Sequence, residues 1–212
     1  MKYEKYSYIF PPRPKNAINP EELNSWDNHS LIGQPKLNGS NCTIYTNGTQ
    51  SIVMNRHNSR LSGFNLSQSE INSLFRGSNS KWLVLNGEYL NKSKKDETGS
   101  DFNHKFVIFD ILVYNSDYLV GRTFEERIKI LDELYGTNKS EKSYLYSINE
   151  NTYRVKSYEN GFSSLFEDLT PIDVIEGLVL KRKNAKLEAG NSENNNTKSQ
   201  IKARKKCNSY KF

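Results

Sequence analysis

The longest apolar stretch of this chain, residues 106–114, contains a single acid, Asp110. Nine residues are too few to cross a bilayer as a helix, but their Phe, Ile and Val content is typical of a buried β-strand. An ionised carboxylate inside such a strand is costly unless another group partners it. The stretch therefore predicts a folded core built on a sheet, in which Asp110 either makes a buried structural hydrogen bond or serves a functional site.

Shorter strand-like and helix-like segments surround this stretch. Residues 42–45 and 51–54 are strand-like runs, and the Asn47-Gly48 pair between them favours a tight hairpin turn. Three further segments are predicted strands: residues 82–85, 145–155 and 177–181. Three others are predicted helices: residues 67–75, 123–135 and 158–169. The helix over residues 123–135 is the clearest, because Thr123 and Glu126 form a capping box and Gly136 follows its end.

Few helices among many short strands predict an α+β fold, a single domain of antiparallel sheets flanked by helices. A chain of 212 residues has room for one sizeable core. Four of its six prolines lie in residues 8–20, which favours an extended lead-in over residues 1–33, packed on the domain. Residues 34–206 then form the domain itself, with a polar loop over residues 184–199. Residues 207–212 are expected to be a short basic tail.

The positive charge is concentrated at the end of the chain. The net charge is +6, and residues 198–212 hold six bases and no acid, so the rest of the chain is balanced. This distribution favours a polyanionic partner such as nucleic acid, although a solvated tail without any partner would have the same composition.

The cysteines and the N-terminus bear on the compartment. Cys42 and Cys207 are far apart and lack the spacing of a zinc site, which is typical of reduced thiols. The first fourteen residues mix charges and prolines where a signal peptide needs an unbroken apolar run. We therefore expect a cytoplasmic protein without a membrane partner.

Two motifs in the first half of the chain carry side chains suited to nucleotide chemistry. Lys36 precedes Gly39 by three residues at the entrance to the predicted hairpin. A lysine in a polyphosphate pocket can lose its proton and attack phosphorus, and Gly39 would let the backbone approach a nucleotide closely. Arg56 ends the hairpin and Glu88 ends a predicted strand, where they suit phosphate, ribose hydroxyls or a metal. A surface turn and solvated strand ends are the simpler alternatives.

Two further motifs lie near the end of the chain. Glu176 and Lys181 lie near opposite ends of one predicted strand. Lys202 and Arg204 share one face of an extended segment because side chains alternate with a period of two. Such cations can neutralise a triphosphate as pyrophosphate leaves, although by composition they are also part of a basic tail.

In their order along the chain these motifs resemble the covalent nucleotidyltransferase superfamily of ATP-dependent DNA ligases, RNA ligases and mRNA capping guanylyltransferases. Its pattern is K-x-x-G, an arginine, a glutamate motif, an aromatic-Asp strand, E-G-[LIV]-[LIV]-x-K and K-x-[KR]. The six matches run from residue 34 to residue 204, which is most of the chain. The resemblance implies a nucleotidyltransferase domain with the ATP-grasp-like fold of ligase adenylation domains, in a minimal, phage-like form.

The resemblance also implies an activity and a set of roles. ATP, with Mg²⁺ or Mn²⁺, would attach AMP to Lys36; the AMP would pass to a 5′-phosphate end, and a 3′-hydroxyl would then displace it. Lys36, Lys202 and Arg204 would be the catalytic residues. Five residues would bind the nucleotide: Asn41, Arg56, Glu88, Phe109 and Lys181. Glu176 would hold the metal, with Asp110 assisting.

Departures from the superfamily pattern bear on the substrate. DNA ligases have an acid and an arginine where this chain has Asn38 and Asn41, and K-x-x-G-x-N resembles RNA ligases instead. RNA ends are therefore the favoured substrate and nicked duplex DNA the alternative. A capping guanylyltransferase and a non-catalytic module that binds nucleic-acid ends are the weaker alternatives.

The resemblance ends close to the end of the sequence. Eight residues follow Arg204, so we expect no oligonucleotide-binding (OB-fold) domain, and the core domain to act alone or with a protein partner that supplies an accessory domain. The pattern indicates neither the oligomeric state nor the pathway.

Overall fold

The computed structural model describes residues 1–76, 80–91, 94–137, 142–193 and 195–206. These residues form eleven strands, three α-helices and one 3-10 helix. In chain order the elements are β1 (Arg13–Ile18), the 3-10 helix (Pro20–Trp26), β2 (Leu31–Leu37), β3 (Ser40–Thr46), β4 (Ser51–Asn55), α1 (Gln68–Asn72), β5 (Leu83–Leu90), β6 (Lys105–Tyr114), β7 (Asp117–Tyr118), α2 (Phe124–Tyr135), β8 (Leu145–Ser147), β9 (Thr152–Val155), α3 (Phe162–Leu169), β10 (Ile175–Arg182) and β11 (Asn196–Arg204).

The strands form two sheets. The small sheet has the order β1-β11-β10-β2, and the large sheet has the order β4-β3-β5-β6-β9-β8, with β7 paired to β6. The α+β prediction is confirmed. Most strand pairs are antiparallel, as expected, and two pairs, β1 with β11 and β6 with β9, are parallel.

Local signals in the sequence account for the elements that were predicted. The hairpin β3–β4 turns at Gly48, whose φ of 87° is a conformation that glycine adopts without strain. Both α1 and α2 begin with capping boxes, Ser67 with Glu70 and Thr123 with Glu126. These elements form where the sequence indicates because their stabilising contacts lie within a few residues of one another.

Elements that depend on distant partners differ from the predictions. The loop predicted for residues 184–199 is wrong at its end, because residues 196–199 belong to β11, which pairs with both β1 and β10. The lead-in expected over residues 1–33 contains β1 and the start of β2, so it contributes two strands to the small sheet. The tail expected over residues 207–212, with Cys207, lies outside the described residues.

Two apolar cores lie on opposite faces of the large sheet. Alternate residues of β6 separate them: Ile108 belongs to the helix-side core, with α1 and α2, whereas Val107 belongs to the inter-sheet core, with the small sheet and α3. This double burial explains the unbroken apolar stretch over residues 106–114. Each fully buried large apolar side chain stabilises the fold by about 1.5–3 kcal/mol. No helix in the described ranges is long and apolar enough to cross a membrane.

Candidate active site

The inter-sheet core opens, beyond Leu37 and Phe109, into a cavity of about 870 Å³ that both sheets line. Nine of the ten predicted site residues line this cavity. They are Lys36, Asn41, Arg56, Glu88, Phe109, Glu176, Lys181, Lys202 and Arg204. Residues from six separate motifs thus meet at one place, and only the tertiary fold brings them there.

Cations from three neighbouring strands form the floor of the cavity. Lys36 of β2 lies opposite Gly177 of β10, which in turn lies opposite Arg204 of β11. Two residues along, Val179 of β10 lies opposite Lys202 of β11. Because side chains two residues apart on a strand share a face, Lys202 and Arg204 project towards the same side as Lys36. The alternation that the sequence predicted for these two cations therefore places them beside the lysine.

Glu176 reaches this floor because of a β-bulge. Ile175 pairs with Leu37 and Gly177 with Lys36, so Glu176 is an extra residue between them. Gly177 has a φ of 149°, and a Cβ there would lie 1.9 Å from the carbonyl oxygen of Ala203, so only glycine fits. Bulges re-aim side chains next to active sites. This one directs the Glu176 carboxylate to the ammonium of Lys36, which it contacts.

The wall opposite the floor comes from β3 and β5. Asn41 and Glu88 lie directly across from each other on these strands, and the buried Asn86 donates to Asn41 Oδ1 at 3.3 Å. Glu88 accepts a hydrogen bond from the backbone N–H of Gly39 at 3.2 Å. A Cβ on Gly39 would lie 2.5 Å from the carbonyl oxygen of Tyr89. Close packing on β5 is thus enough to require glycine at this position.

Phe109 and Lys181 close the inner end of the cavity. Asn86 pairs with Asp110 and Gly87 with Ile108, so Phe109 is the bulged residue of β6 and turns towards the cavity. The Lys181 ammonium lies 4.8 Å from the centroid of the Phe109 ring and 4.6 Å from that of Phe124. Its described hydrogen bond, to the carbonyl oxygen of Phe109, is long at 3.4 Å. Lys181 is therefore a buried cation with room for an anionic partner.

Asp110 does not line the cavity. Its two carboxylate oxygens accept hydrogen bonds from Arg127 of α2 at 2.8 and 2.9 Å, and both side chains are almost fully buried. Burial by itself would raise the pKa of Asp110, but the Arg127 guanidinium outweighs burial and holds this pKa below its ordinary value. Asp110 thus sits in a structural ion pair, which disagrees with the expectation that it assists Glu176 at a metal.

The electrostatics of the cavity make the neutral form of Lys36 more accessible. The pKa of Lys36 falls from 10.5 to about 8, mainly because the side chain is buried. Glu88 acts in the opposite direction, and Arg204, Lys202 and Arg56 contribute to the lowering. Burial likewise lowers the pKa of Lys181 to about 8, against the attraction of Asp110. A nucleophilic amine needs its neutral form, so these shifts suit Lys36 to attack an electrophile near neutral pH.

Glu88 has the opposite perturbation. Burial raises its pKa from 4.5 to about 7, although Lys36 and the N–H of Gly39 both favour the ionised form. A carboxyl group with such a pKa can donate or accept a hydrogen bond near neutral pH. It is therefore suited to a hydroxyl of a bound nucleotide.

Several residues that line the cavity were not predicted from the sequence, among them Arg13, Gln34 and His57. Gln34 is buried, donates to Ser157 Oγ at 3.2 Å and leaves its own Oε1 without a hydrogen-bond partner among the described residues. It lies two residues before Lys36 on β2, so the strand alternation could have identified it. Nothing in the local sequence connects Arg13 to the site, because it reaches the cavity through the pairing of β1 with β11.

The basic end of the chain divides in the structure. Lys202 and Arg204 line the cavity, but the ammonium of Lys205 donates to the carbonyl oxygens of Thr170 and Ile172, at 2.9 and 3.3 Å, just beyond the end of α3. A cation in this position satisfies carbonyl groups that the helix leaves free. Lys205 is therefore engaged in the fold, whereas Lys206 is exposed.

Glu176 is the candidate side chain for binding a divalent metal at this cavity. In the described part of the chain, no three His, Cys, Asp or Glu side chains converge as a complete metal site. Mg²⁺ is commonly held by one or two carboxylates together with substrate phosphates and waters. A single carboxylate from Glu176, at a cation-lined cavity that would take phosphates, fits that mode of binding.

Known proteins share the family and the fold of this chain. A family model described as RNA ligase matches residues 30–203. No curated protein matches the chain. Among solved structures, the fold is similar to mycobacterial DNA ligase D in complex with ATP, with a TM-score of 0.62 and 14% identity over 92% of this chain. The chain spans 60% of the length of that protein.

Two smaller enzymes have related folds. The structure is similar to that of a Lig E DNA ligase, described as binding DNA with a minimal scaffold, with a TM-score of 0.54, 16% identity and coverage of 93% of this chain and 70% of that one. It is also similar to the ATP-dependent DNA ligase of bacteriophage T7 in complex with ATP, with a TM-score of 0.56, 14% identity and coverage of 92% and 68%. At such identities the likeness establishes the fold.

Proposed function

The chain belongs to the RNA ligase family, and on that premise we propose that it is an ATP-dependent polynucleotide ligase that attaches AMP to Lys36. The observation that carries this proposal is the meeting of Lys36 with Glu176, Lys202 and Arg204 in one cavity, where burial and cations lower the pKa of the lysine. A lysine of this kind is suited to attack phosphorus.

The first step follows from this arrangement. The neutral Nζ of Lys36 attacks the α-phosphorus of ATP, a P–N bond forms, the bond between the α-phosphorus and the bridging oxygen breaks, and pyrophosphate leaves. Lys202, Arg204 and the buried Lys181 neutralise charge on the leaving phosphates, which is the main requirement of phosphoryl-type transfer. Lys36 loses one proton to solvent before the attack, and burial together with the cations on the floor favours that loss. A second proton of the amine leaves with pyrophosphate as the P–N bond forms.

Other cavity residues suit the nucleoside part of ATP. We assign the adenine to the region of Phe109 and Gln34, because Phe109 offers a ring and Gln34 offers an unpartnered acceptor, Oε1. An acceptor suits the amino group of adenine better than the carbonyl oxygen of guanine. Glu88 and Asn41 then face the ribose, where a carboxyl group and an amide can bind hydroxyls.

A divalent cation has one designated ligand in this proposal. Glu176 would hold Mg²⁺ together with phosphate oxygens, and the ion would supply charge neutralisation at the phosphates. In the free protein the carboxylate of Glu176 contacts Lys36 instead. Engaging that carboxylate elsewhere would remove the anion nearest Lys36 and would favour its neutral form further.

The later steps join nucleic-acid ends. An oxygen of a terminal 5′-phosphate attacks the AMP phosphorus and the P–N bond breaks; a 3′-hydroxyl oxygen then attacks the 5′-phosphorus and AMP leaves. RNA ends are the proposed substrate, supported by the K-x-x-G-x-N pattern, which resembles RNA ligases. Nicked DNA is the second candidate, because the chain has the fold of several DNA ligases.

Intact-mass measurement after incubation with ATP and Mg²⁺ tests the first step. We expect one added AMP, absent in Lys36→Ala and retained in Lys15→Ala, which removes an exposed lysine of β1 outside the cavity. An adduct that persists in Lys36→Ala would assign the nucleophile elsewhere. GTP should label the protein poorly, and efficient labelling by GTP would favour a guanylyltransferase.

Sealing rates of pre-adenylylated protein test the substrate. Four nicks that differ only in ribose or deoxyribose at the two terminal nucleotides should be compared in single turnovers. We expect ribose on the 3′-hydroxyl side to be sealed fastest, because a one-sided domain must read its substrate near the break, where the 2′-hydroxyl distinguishes RNA. Equal rates on the all-DNA nick would favour the DNA ligase alternative, and absence of both labelling and sealing would favour a non-catalytic end-binding module.

A further inference from the structure

A second group of charged side chains lies at the mouth of the cavity, apart from the floor. It consists of Arg13 of β1, Arg56 and His57 after β4, and Glu193 in the loop before β11. We call these four residues the rim. Arg13, Arg56 and His57 line the cavity. Glu193 contacts two of them, Arg13 and His57.

The rim is organised around Glu193. The ring Nδ1 of His57 contacts the Glu193 carboxylate, and Arg13 Nη2 donates to the backbone carbonyl oxygen of Glu193 at 2.6 Å. On the other side of the ring, Arg56 Nε donates to His57 Nε2 at 3.0 Å. The hydrogen bond from His57, and then the charges of His57, Arg13 and Arg56, lower the pKa of Glu193.

The rim carries more positive charge than the single carboxylate of Glu193 can neutralise. In the ranges that the structure describes, neither Arg13 nor Arg56 has a carboxylate within ion-pair distance. The side chains of His57 and Glu193 are 48% and 56% exposed, and ion pairs this open to water contribute little to stability. An anion with more charge and more acceptor oxygens can therefore readily displace the Glu193 carboxylate from His57.

We propose, on the basis of the proposed ligase function, that the rim binds a phosphate group of the nucleic acid, and that the Glu193 carboxylate holds this place in the free protein. A phosphate offers three acceptor oxygens to the guanidinium groups of Arg13 and Arg56 and to His57. The phosphates of ATP have their own cations on the floor, at Lys181, Lys202 and Arg204. The rim is open to solvent on the outer side of the cavity, where a strand would approach.

Anisotropy with labelled single-stranded oligonucleotides, with and without a 5′-phosphate, tests this proposal at fixed salt and without ATP. Glu193→Gln removes the competing charge and should tighten binding about 5-fold, as expected for loss of an exposed competing charge. Arg13→Ala should weaken binding about 10-fold, as expected for loss of a charge-assisted hydrogen bond. The matched controls are Glu188→Gln, an exposed acid of the same loop region, and Lys15→Ala on β1, and neither should alter the affinity.

The paired oligonucleotides identify the source of the phosphate. Loss of the preference for a 5′-phosphate in Arg13→Ala would assign the rim to the terminal phosphate, and equal weakening of both oligonucleotides would assign it to a backbone phosphate. Unchanged affinity in Glu193→Gln, which keeps the backbone contact to Arg13, would overturn the proposal. So would a changed KM for ATP with unchanged oligonucleotide affinity. The assay uses unmodified protein, so failure of Lys36 labelling would reject the ligase function separately.

Discussion

Asp110 and Glu176 are both acids in strands next to basic side chains, yet their surroundings differ. Asp110 is held by two hydrogen bonds from Arg127, with both side chains almost fully buried. Glu176 sits on a bulge at an open cavity, 18% exposed, and faces Lys36 and, at 3.8 Å, Arg204. The charge of Asp110 is neutralised inside the protein by Arg127. The carboxylate of Glu176 lies between two cations and stays accessible to a ligand. This difference distinguishes a structural ion pair from one at a reactive site.

Breaking the internal pair should have the largest effect. Asp110→Ala leaves Arg127 buried without its partner, and we expect a loss of about 3–5 kcal/mol in the free energy of unfolding, measured by urea denaturation. Replacing both residues, in Asp110→Ala with Arg127→Met, should recover much of this loss because no buried charge remains. A small loss in the single variant would mean that water reaches Arg127.

The pH dependence of the same pair has a defined sign. Because the folded-state pKa of Asp110 lies below the ordinary value of 3.8, its contribution to stability is present at neutral pH. It is lost only as the pH falls below 3.8 and through the folded-state pKa. Acid titrations of the wild type and of Asp110→Ala should therefore differ at neutral pH and converge in acid, whereas the double variant should not show this loss of stability in acid.

Glu176→Gln should separate activity from stability. The substitution keeps the size of the side chain but removes its charge, and we expect adenylylation to fall by about 100-fold or more, equivalent to about 3 kcal/mol of transition-state stabilisation. The free energy of unfolding should change by less than about 1 kcal/mol, since Glu176 is partly exposed. Full activity in excess EDTA, or a stability loss as large as that of Asp110→Ala, would contradict the contrast between the two acids.

The pH profile of adenylylation tests the reactive lysine. Since the neutral amine attacks and the pKa of Lys36 is about 8, the rate should rise with pH and level off above about 8. An ordinary lysine would keep the rate rising towards 10.5. Glu88, with a pKa of about 7, titrates nearby, so the profile of Glu88→Gln serves as the control. If the plateau moves with that substitution, Glu88 rather than Lys36 sets it.

The smallest effect is expected in the basic end of the chain. Lys205→Met removes a cation from the end of α3 and should lower stability by about 0.5–1 kcal/mol. Lys206→Met removes an exposed charge and should leave stability unaltered while reducing the salt dependence of nucleic-acid binding slightly. Equal effects of the two substitutions on salt dependence would show that Lys205 leaves the helix end to contact phosphates.

Asp110 also shows which features of the site the sequence could predict and which it could not. The position of Asp110 in an apolar strand correctly required a partner, but Arg127 lies 17 residues away on a helix, and its alignment with Asp110 depends on how α2 packs on β6. The alternation of Lys202 and Arg204 predicted their shared face, because a period of two is a local property of a strand. It did not place that face beside Lys36.

Some residues of the site have no nearby sequence pattern that would assign them to it, and only the structure identified them. Arg13 joins the cavity because β1 pairs in parallel with β11, where the partner of Arg13 is Asn196, and no pattern near Arg13 indicates that pairing. The bulges at Phe109 and Glu176 are likewise set by register with neighbouring strands. In contrast, the hairpin at Gly48 and the capping box of α2 depend on residues close together in the sequence, and these were predicted.

The sequence by itself determined the α+β class, the hairpin, the capped helices and the order of motifs that resembles nucleotidyltransferases, because these rest on local conformational preferences and short spacings. The tertiary structure decided which charges meet. It paired Asp110 with Arg127, turned Glu176 towards Lys36 and brought Arg13 to the mouth of the cavity. The physical reason is that the energy of a charge depends on its burial and on partners from distant strands, and a linear pattern specifies neither.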